Sequence, residues 1–394
     1  DGGEAGDGGS VASRRLPERQ TGMDARDVAP SAAAATSGNV SAVTLVPARI
    51  AVVVIAYNRP EYLEQALSTI FKHHPGGDAY PVYVSQDGPN DKVKRVIERH
   101  GARHLVHPRQ PIHFGPSTPI YLVRKPGYAY LSVHYAWALN TIFGEPERFD
   151  GIIILEEDIE IAPDFFGYFS ATAPLLSADA SLLCVSAFND NGQPDHASDA
   201  RALYRSDFFP GLGWLLTRSL WAELAPKWPN ETGFWDDWLR EPPQRRGRAS
   251  IRPEVSRSYT FGKKGTSQSQ FFDTHLGRIQ LAREKDAVDW AHEDLGYLLK
   301  PSYDARFAAS VAAARVVSLR EAMRPSDDDV RVLYSGPTQL ESYATQLRIM
   351  SDLKAGVPRT AYKGVVTLRI HHRLVYLAPR YAVDQDITKP IRTP

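Results

Sequence analysis

The sequence predicts an α/β protein built on a largely parallel sheet, with a smaller C-terminal α+β region. Three observations carry this expectation. Continuous apolar runs such as Ile50–Ala56 and Gly151–Leu155 have the unbroken β-branched character of strands buried on both faces. Stretches with helical spacing alternate with these runs, as in a sheet covered by helices. Ahead of them, residues 1–47 hold no aromatic ring, the first being Tyr57, and are rich in Gly, Ala, Ser and Asp. Such a segment buries too little apolar surface to offset its ordering entropy, so a disordered stem or linker is expected there.

Each element follows from local chemistry. Arg49–Ala56 is the first strand, and Asn58-Arg59-Pro60 ends it. Proline suits the first turn of a helix, and Leu63, Leu67 and Ile70 continue at helical spacing through Phe71. Pro81–Ser85 is a short strand ending in Gln86-Asp87-Gly88, followed by a helix over Lys92–His100. A helix over Leu131–Phe143 feeds the strand Gly151–Leu155, which ends in Glu156-Glu157-Asp158; a further strand, Leu182–Ala187, ends at Asn189-Asp190. Ligands of open α/β sheets collect beyond the carboxyl ends of the strands, so the crevice is expected at these polar ends. From about Val288 the alternation weakens. Val330–Tyr334 reads as a strand, and Val365–Ile370 with Leu374–Leu377 as a hairpin turning near His371, His372 and Arg373. The division expected is 1–47, 48–282 and 283–394.

Composition narrows the function classes. The chain has 394 residues, with 46 Lys plus Arg against 46 Asp plus Glu, so no charge excess points to nucleic acid. No apolar run reaches the roughly 18 to 20 residues of a spanning helix. The lone cysteine, Cys184, excludes an internal disulfide and a thiolate metal cage. Two sequons, Asn39-Val40-Ser41 and Asn230-Glu231-Thr232, lean toward the secretory pathway. The chain opens on Asp1 without an apolar signal segment, from which a trimmed targeting region is expected.

Three constellations can carry chemistry. Glu156, Glu157 and Asp158 close an apolar strand, where adjacent carboxylates repel unless a cation or cationic side chain compensates. A hard divalent ion, Mg²⁺ or Mn²⁺, that bridges substrate phosphates is one compensator; a solvated acidic turn leading to a helix near Asp164 is the alternative. In Gly233-Phe234-Trp235-Asp236-Asp237-Trp238, rings frame two carboxylates, as a sugar site with Asp236 as general base would require; a capped helix N-terminus over core tryptophans is the plainer reading. Arg59, Asp87 and His134 sit at strand ends or on a helix, where Asp87 before Gly88 is equally an ordinary turn and His134 equally a satisfied core histidine. The loop Phe261–Ser269 lacks the spacing of a phosphate-binding P-loop, which excludes the NTPase reading.

Taken together and in order, Val84-Ser85-Gln86-Asp87, His134–Leu139, Leu155–Asp158 with Ala162–Phe166, Asn189–Gly192, Phe208–Trp214, Trp235–Arg240, Arg252-Pro253-Glu254 and Gly356–Val366 resemble the N-acetylglucosaminyltransferase I family, in its plant-like form, from about residue 48 onward. The resemblance implies a GT-A glycosyltransferase fold, a Rossmann-like mixed sheet flanked by helices, with 48–282 as the nucleotide-sugar-binding catalytic domain. It implies inverting transfer of GlcNAc from UDP-GlcNAc, in β-1,2 linkage, to the α-1,3-arm mannose of a five-mannose N-glycan, with Mn²⁺ as cofactor. Carried over position by position, Asp236 is the base, Asp158 the metal ligand, and Arg59, Asp87, His134, Glu156, Glu157, Trp235 and Ser267 lie on the donor side. A Golgi membrane location with a lumenal catalytic domain, tethered only through an anchor preceding this chain, is implied with them. Glu157 departs from the family's Glu-Asp-Asp pattern, and Tyr57, Gly88 and Ser250 stand where animal members carry cysteines. The β-1,2 transferase acting on protein O-mannose and a non-catalytic sugar-binding module are the competing readings.

Overall fold

The computed structural model describes residues 48–116, 118–230, 233–263, 265 and 271–380. The expected stem at 1–47, the first sequon and Ser267 lie outside the described residues.

The N-terminal half alternates as expected. Its elements are β1 (Ile50–Ala56), α1 (Pro60–His73), β2 (Val82–Asp87), α2 (Asp91–His100), β3 (Arg103–His107), α3 (Ile120–Arg124), α4 (Gly127–Phe143), β4 (Gly151–Glu156), β5 (Ile159–Ile161), α5 (Phe165–Ala178) and β6 (Leu182–Ser186). Proline opens α1, and Asn90 caps α2 by accepting from the Lys92 and Val93 amides. The helix expected from Leu131 begins a turn earlier, at Gly127. Next come β7 (Leu203–Ser206), β8 (Trp214–Thr217), α6 (Arg218–Leu224), α7 (Trp235–Arg240), α8 (Pro242–Arg245), β9 (Ala249–Pro253) and β10 (Ser258–Thr260).

Eight strands form one sheet in the order β3-β2-β1-β4-β8-β6-β9-β7. The pairs β3-β2, β2-β1, β1-β4 and β6-β9 are parallel, whereas β8 and β7 run against their neighbours, so the sheet is mixed. Alternate residues of β1 feed two cores. Val52, Val54 and Ala56 pack with Leu63, Leu67, Val93 and Phe165, while Ala51, Val53 and Ile55 pack with Tyr135, Leu139 and Trp214. That two-sided burial is why β1 is apolar at every position. A separate pair, β5 with β10, is antiparallel and joins Ile159 to Thr260.

The C-terminal region holds α9 (Lys300–Ala313), β11 (Arg315–Val316), α10 (Leu319–Ala322), β12 (Val330–Tyr334), α11 (Pro337–Leu347), β13 (Leu353–Lys354), β14 (Val357–Pro358), β15 (Val366–Ile370) and β16 (Arg373–Pro379). Its sheet has the order β11-β12-β16-β15. The β15-β16 hairpin turns through His371 and His372, both at positive φ (50° and 72°), as a two-residue turn matched to strand twist requires. The boundary near residue 282 separates the two larger sheets but not the cores. Trp290, Leu298, Tyr303, Phe307, Tyr362 and Tyr376 pack into the same cluster as Val52 and Val54.

Candidate functional site

Beyond the ends of β1, β2 and β4 lies a cavity of about 640 Å³. Its wall includes Arg59, Asp87, His134, Glu156, Glu157, Asp158, Trp235 and Asp236, which brings together every described residue singled out from sequence. The topology explains the gathering. Parallel β1, β2 and β4 end at one edge, and α4 and α7 cover the face on which His134 and Asp236 stand.

The acidic run is held by a cationic side chain. Arg59 follows β1 and donates from Nε to Glu157 Oε1 at 2.6 Å and from Nη1 to Asp158 Oδ2 at 3.0 Å. Glu157 Oε2 also accepts from the Tyr57 amide at 3.0 Å. Burial raises the Glu157 pKa, while Arg59 opposes that shift. Glu156 turns to the other face of the strand and accepts from the Tyr135 hydroxyl at 2.8 Å. Burial, then the nearby Asp158 carboxylate, raises its pKa. The turn after β4 is tied down where the Phe261 amide donates to the Asp158 carbonyl at 3.0 Å.

The Asp158 carboxylate packs closely against the backbone of the loop after β10. Gly262 lies against it so closely that a Cβ would be 2.0 Å from Asp158 Oδ2. No group of three or more His, Cys, Asp or Glu among the described residues can hold a metal by itself. A lone carboxylate would still suit a magnesium-like cation, which takes one or two protein ligands and fills its shell with water and phosphate oxygens.

The β2 end is a hydrogen-bonded stack. Asp87 accepts from His107 Nδ1 at 2.7 Å and from Arg109, so both its oxygens are engaged. The Arg109 guanidinium lies 3.8 Å from the Tyr130 ring centroid and 4.4 Å from that of Tyr57. His134 is 1% exposed, bonds Ser85 Oγ at 2.7 Å and stacks on His107 with centroids 5.2 Å apart. Burial, then His107 and Arg109, push its pKa down to about 3, so the ring is neutral.

Asp236 and Asp237 occupy the first turn of α7. Arg240 Nη1 donates to Asp236 Oδ2 and to Asp237 Oδ1, each at 2.7 Å, and Lys354 Nζ donates to Asp237 Oδ2 at 3.0 Å. Trp235 is buried between Trp214 and Trp228, stacked with centroids 5.9 and 5.8 Å away. The motif does start a helix with Trp235 in the core, but the N-cap position is Phe234 and no aspartate side chain caps it; the Asp236 side chain stays 42% exposed.

Sequence reasoning assigned no role to Arg109, Arg240, Lys354 or Arg359, all of which line the cavity. Arg240 stood inside the quoted Trp235–Arg240 motif, and Arg359 inside Gly356–Val366. Nothing local marks Arg359 as a partner of Asp190, 169 positions away.

Residues 20–388 match the GNT-I family, a span that begins inside the segment read as a stem. The alpha-1,3-mannosyl-glycoprotein 2-beta-N-acetylglucosaminyltransferase of Arabidopsis thaliana is 42% identical over 345 residues, 85% of this chain and 75% of that protein. Among solved structures, glucosyl-3-phosphoglycerate synthase from Mycobacterium tuberculosis in complex with Mg²⁺ and UDP matches with a TM-score of 0.35 and 16% identity, over 58% of this chain and 77% of that one. Mannosyltransferase PcManGT from Pyrobaculum calidifontis, in complex with GDP-Man and Mn²⁺, matches with a TM-score of 0.36 and 17% identity, over 69% of this chain and 77% of its own. At that distance the structural matches add nothing to the relationship carried by sequence.

Proposed function

The chain belongs to the GNT-I family, and from that premise we propose that it transfers GlcNAc from UDP-GlcNAc, with inversion, to the 2-hydroxyl of the α-1,3-arm mannose of a five-mannose N-glycan. Membership makes it an N-acetylglucosaminyltransferase, and its mixed sheet flanked by helices is the GT-A fold. The observation that carries the finer reading is the meeting of Asp158 and Asp236 in one cavity large enough for a nucleotide sugar.

In this reading the nucleotide lies over the β1 and β2 ends, against Arg59, Asp87 and His134, with the diphosphate directed to Asp158. Ser267, which lies outside the described residues, is assigned to the donor side by family resemblance alone. Asp158 would hold Mn²⁺, which when bound supplies positive charge to the diphosphate as it departs. Glu156 and Glu157 line the donor side, and Arg59 keeps Glu157 and Asp158 oriented. Asp236 takes the proton of the attacking mannose hydroxyl while that oxygen bonds to the anomeric carbon from the face opposite UDP, so a single carboxylate suffices. Arg240 fixes the Asp236 rotamer, and the buried Trp235 sets the helix that carries it.

We further propose a Golgi lumenal location with a membrane anchor outside the described residues, among which no helix is long and apolar enough to cross a membrane. The test offers UDP-GlcNAc with Mn²⁺ or with chelator to a five-mannose N-glycan and, in parallel, to an O-mannosyl peptide. Metal-dependent transfer to the glycan alone is expected. Transfer to the peptide instead would place the chain on the O-mannose reaction, and transfer to neither would leave a sugar-binding module.

A further inference from the structure

The same cavity contains a buried carboxylate oxygen with no partner. Asp190 follows β6, its side chain is 2% exposed, and it lines the cavity together with Asp236. Its Oδ1 accepts from Arg359 Nη1 at 2.5 Å, but its Oδ2 meets no hydrogen-bond donor. Arg359 cannot swing to cover it. Its Nε and Nη2 are committed to Asp352 Oδ1 and Oδ2 at 2.6 and 3.0 Å, a bidentate fork that fixes the guanidinium plane. The ring of Phe208 ties this unit to the proposed base: the guanidinium of Arg359 lies 4.9 Å from its centroid and that of Arg240, the partner of Asp236, 4.7 Å.

A buried charged acceptor left unpaired is costly, and such groups are ordinarily satisfied by a ligand or an ordered water. A carboxylate repels the anionic diphosphate of the donor, so the missing partner is a neutral group that donates. We propose that Asp190 is an acceptor-positioning residue, whose Oδ2 accepts a hydrogen bond from a non-reacting hydroxyl of the acceptor sugar. Asp190 and Arg359 then make the far wall of the acceptor subsite, and the C-terminal region completes it through Arg359. This inference rests on the transferase reading and adds the substrate contact to it.

Asp190→Asn tests it. The substitution is isosteric and keeps an oxygen for Arg359, but it turns the position of Oδ2 into an N–H donor. The expected result is an acceptor KM raised about tenfold or more with the UDP-GlcNAc KM and UDP affinity unchanged. A panel of monodeoxy mannosyl acceptors supplies the readout that a structural role would not move. One deoxy analogue is expected to lose about tenfold in kcat/KM with the natural chain and to lose nothing further with Asp190→Asn. Should the variant fail to fold, Arg359→Lys, which removes the fork but leaves Asp190 charged, is expected to raise the acceptor KM and leave UDP affinity in place. An unchanged acceptor KM in a folded variant, or equal losses across the deoxy panel in both proteins, overturns the proposal. A natural chain that transfers to no mannosyl acceptor overturns the transferase reading itself, and this inference falls with it.

Discussion

Gly262 and Asp158 are in backbone-to-carboxylate contact: a Cβ added to Gly262 would sit 2.0 Å from Oδ2 and 2.9 Å from the Asp158 Cβ. Both flank the antiparallel pair that joins Ile159 to Thr260, so neither can retreat without disturbing that ladder. Gly262→Ala is expected to turn the carboxylate away from the cavity. Metal affinity should fall about 10- to 100-fold, the range seen when groups that orient a ligand are altered. Titrating transfer against Mn²⁺ checks this, and a half-maximal concentration equal to that of the natural chain would show that the close contact does not orient the carboxylate.

Asp236→Asn removes the proposed base while keeping an acceptor for Arg240, 2.7 Å away. Transfer is expected to drop by about 10² to 10⁴ in kcat, as for loss of a positioned general base. UDP affinity should not move, because the isosteric change leaves Arg59, Asp87, His134 and Asp158 in place, and Asp236 bonds Arg240 rather than any of them. Steady-state kinetics with equilibrium binding of UDP separates the two quantities, and near-normal kcat would assign the base elsewhere.

These two residues also show what sequence could and could not disclose. The acidic run and the Trp-Asp-Asp-Trp motif are each contiguous, so their chemistry was legible as strings of residues with a local reason. The strands ending in them were legible because burial on both faces leaves an unbroken apolar signature at Ile50–Ala56 and Gly151–Leu155. Arg59 was legible as a position but not as a partner: its bonds to Glu157 and Asp158 span 98 and 99 residues. Arg359 and Asp190 meet only because the C-terminal region closes over the β6 end. Such pairings are set by tertiary packing, which leaves no periodic trace in a single chain.

His134 yields a pH dependence with a definite sign. Its folded pKa of about 3 lies below the ordinary 6.5, so the folded state resists protonation and the unfolded state does not. Stability from the neutral ring is complete above pH 6.5 and is lost as pH falls from 6.5 toward 3. Between pH 6.5 and 5.5 this group alone should remove about 1 kcal/mol. His134→Gln, which retains a partner for Ser85, is expected to be less stable at neutral pH and flatter across that interval. Urea midpoints at the two pH values decide it: parallel declines in both proteins would remove His134 as the source.

Asp164 tests how the C-terminal region is fastened. It stands at the N-cap position of α5 yet makes no capping bond. Its side chain instead accepts from Arg257 Nη2 at 3.1 Å, Trp290 Nε1 at 2.8 Å and the Val288 amide at 3.1 Å, with Arg257 fully buried. Donors from three residues satisfy one buried carboxylate, and two of those residues, Val288 and Trp290, come from the segment that enters the C-terminal region. Asp164→Ala leaves the Arg257 charge without its partner inside the protein, at an expected cost of about 3–5 kcal/mol in chemical denaturation. Pairing it with Arg257→Met removes the stranded charge and should recover a large part of that loss. Because Trp290 packs edge-on against Tyr168 at 5.5 Å, its fluorescence should report local release in the single variant. A single variant within 1 kcal/mol of the natural chain, with Trp290 emission unchanged, would mean that the Tyr303, Phe307 and Tyr362 packing holds the region in place without the carboxylate.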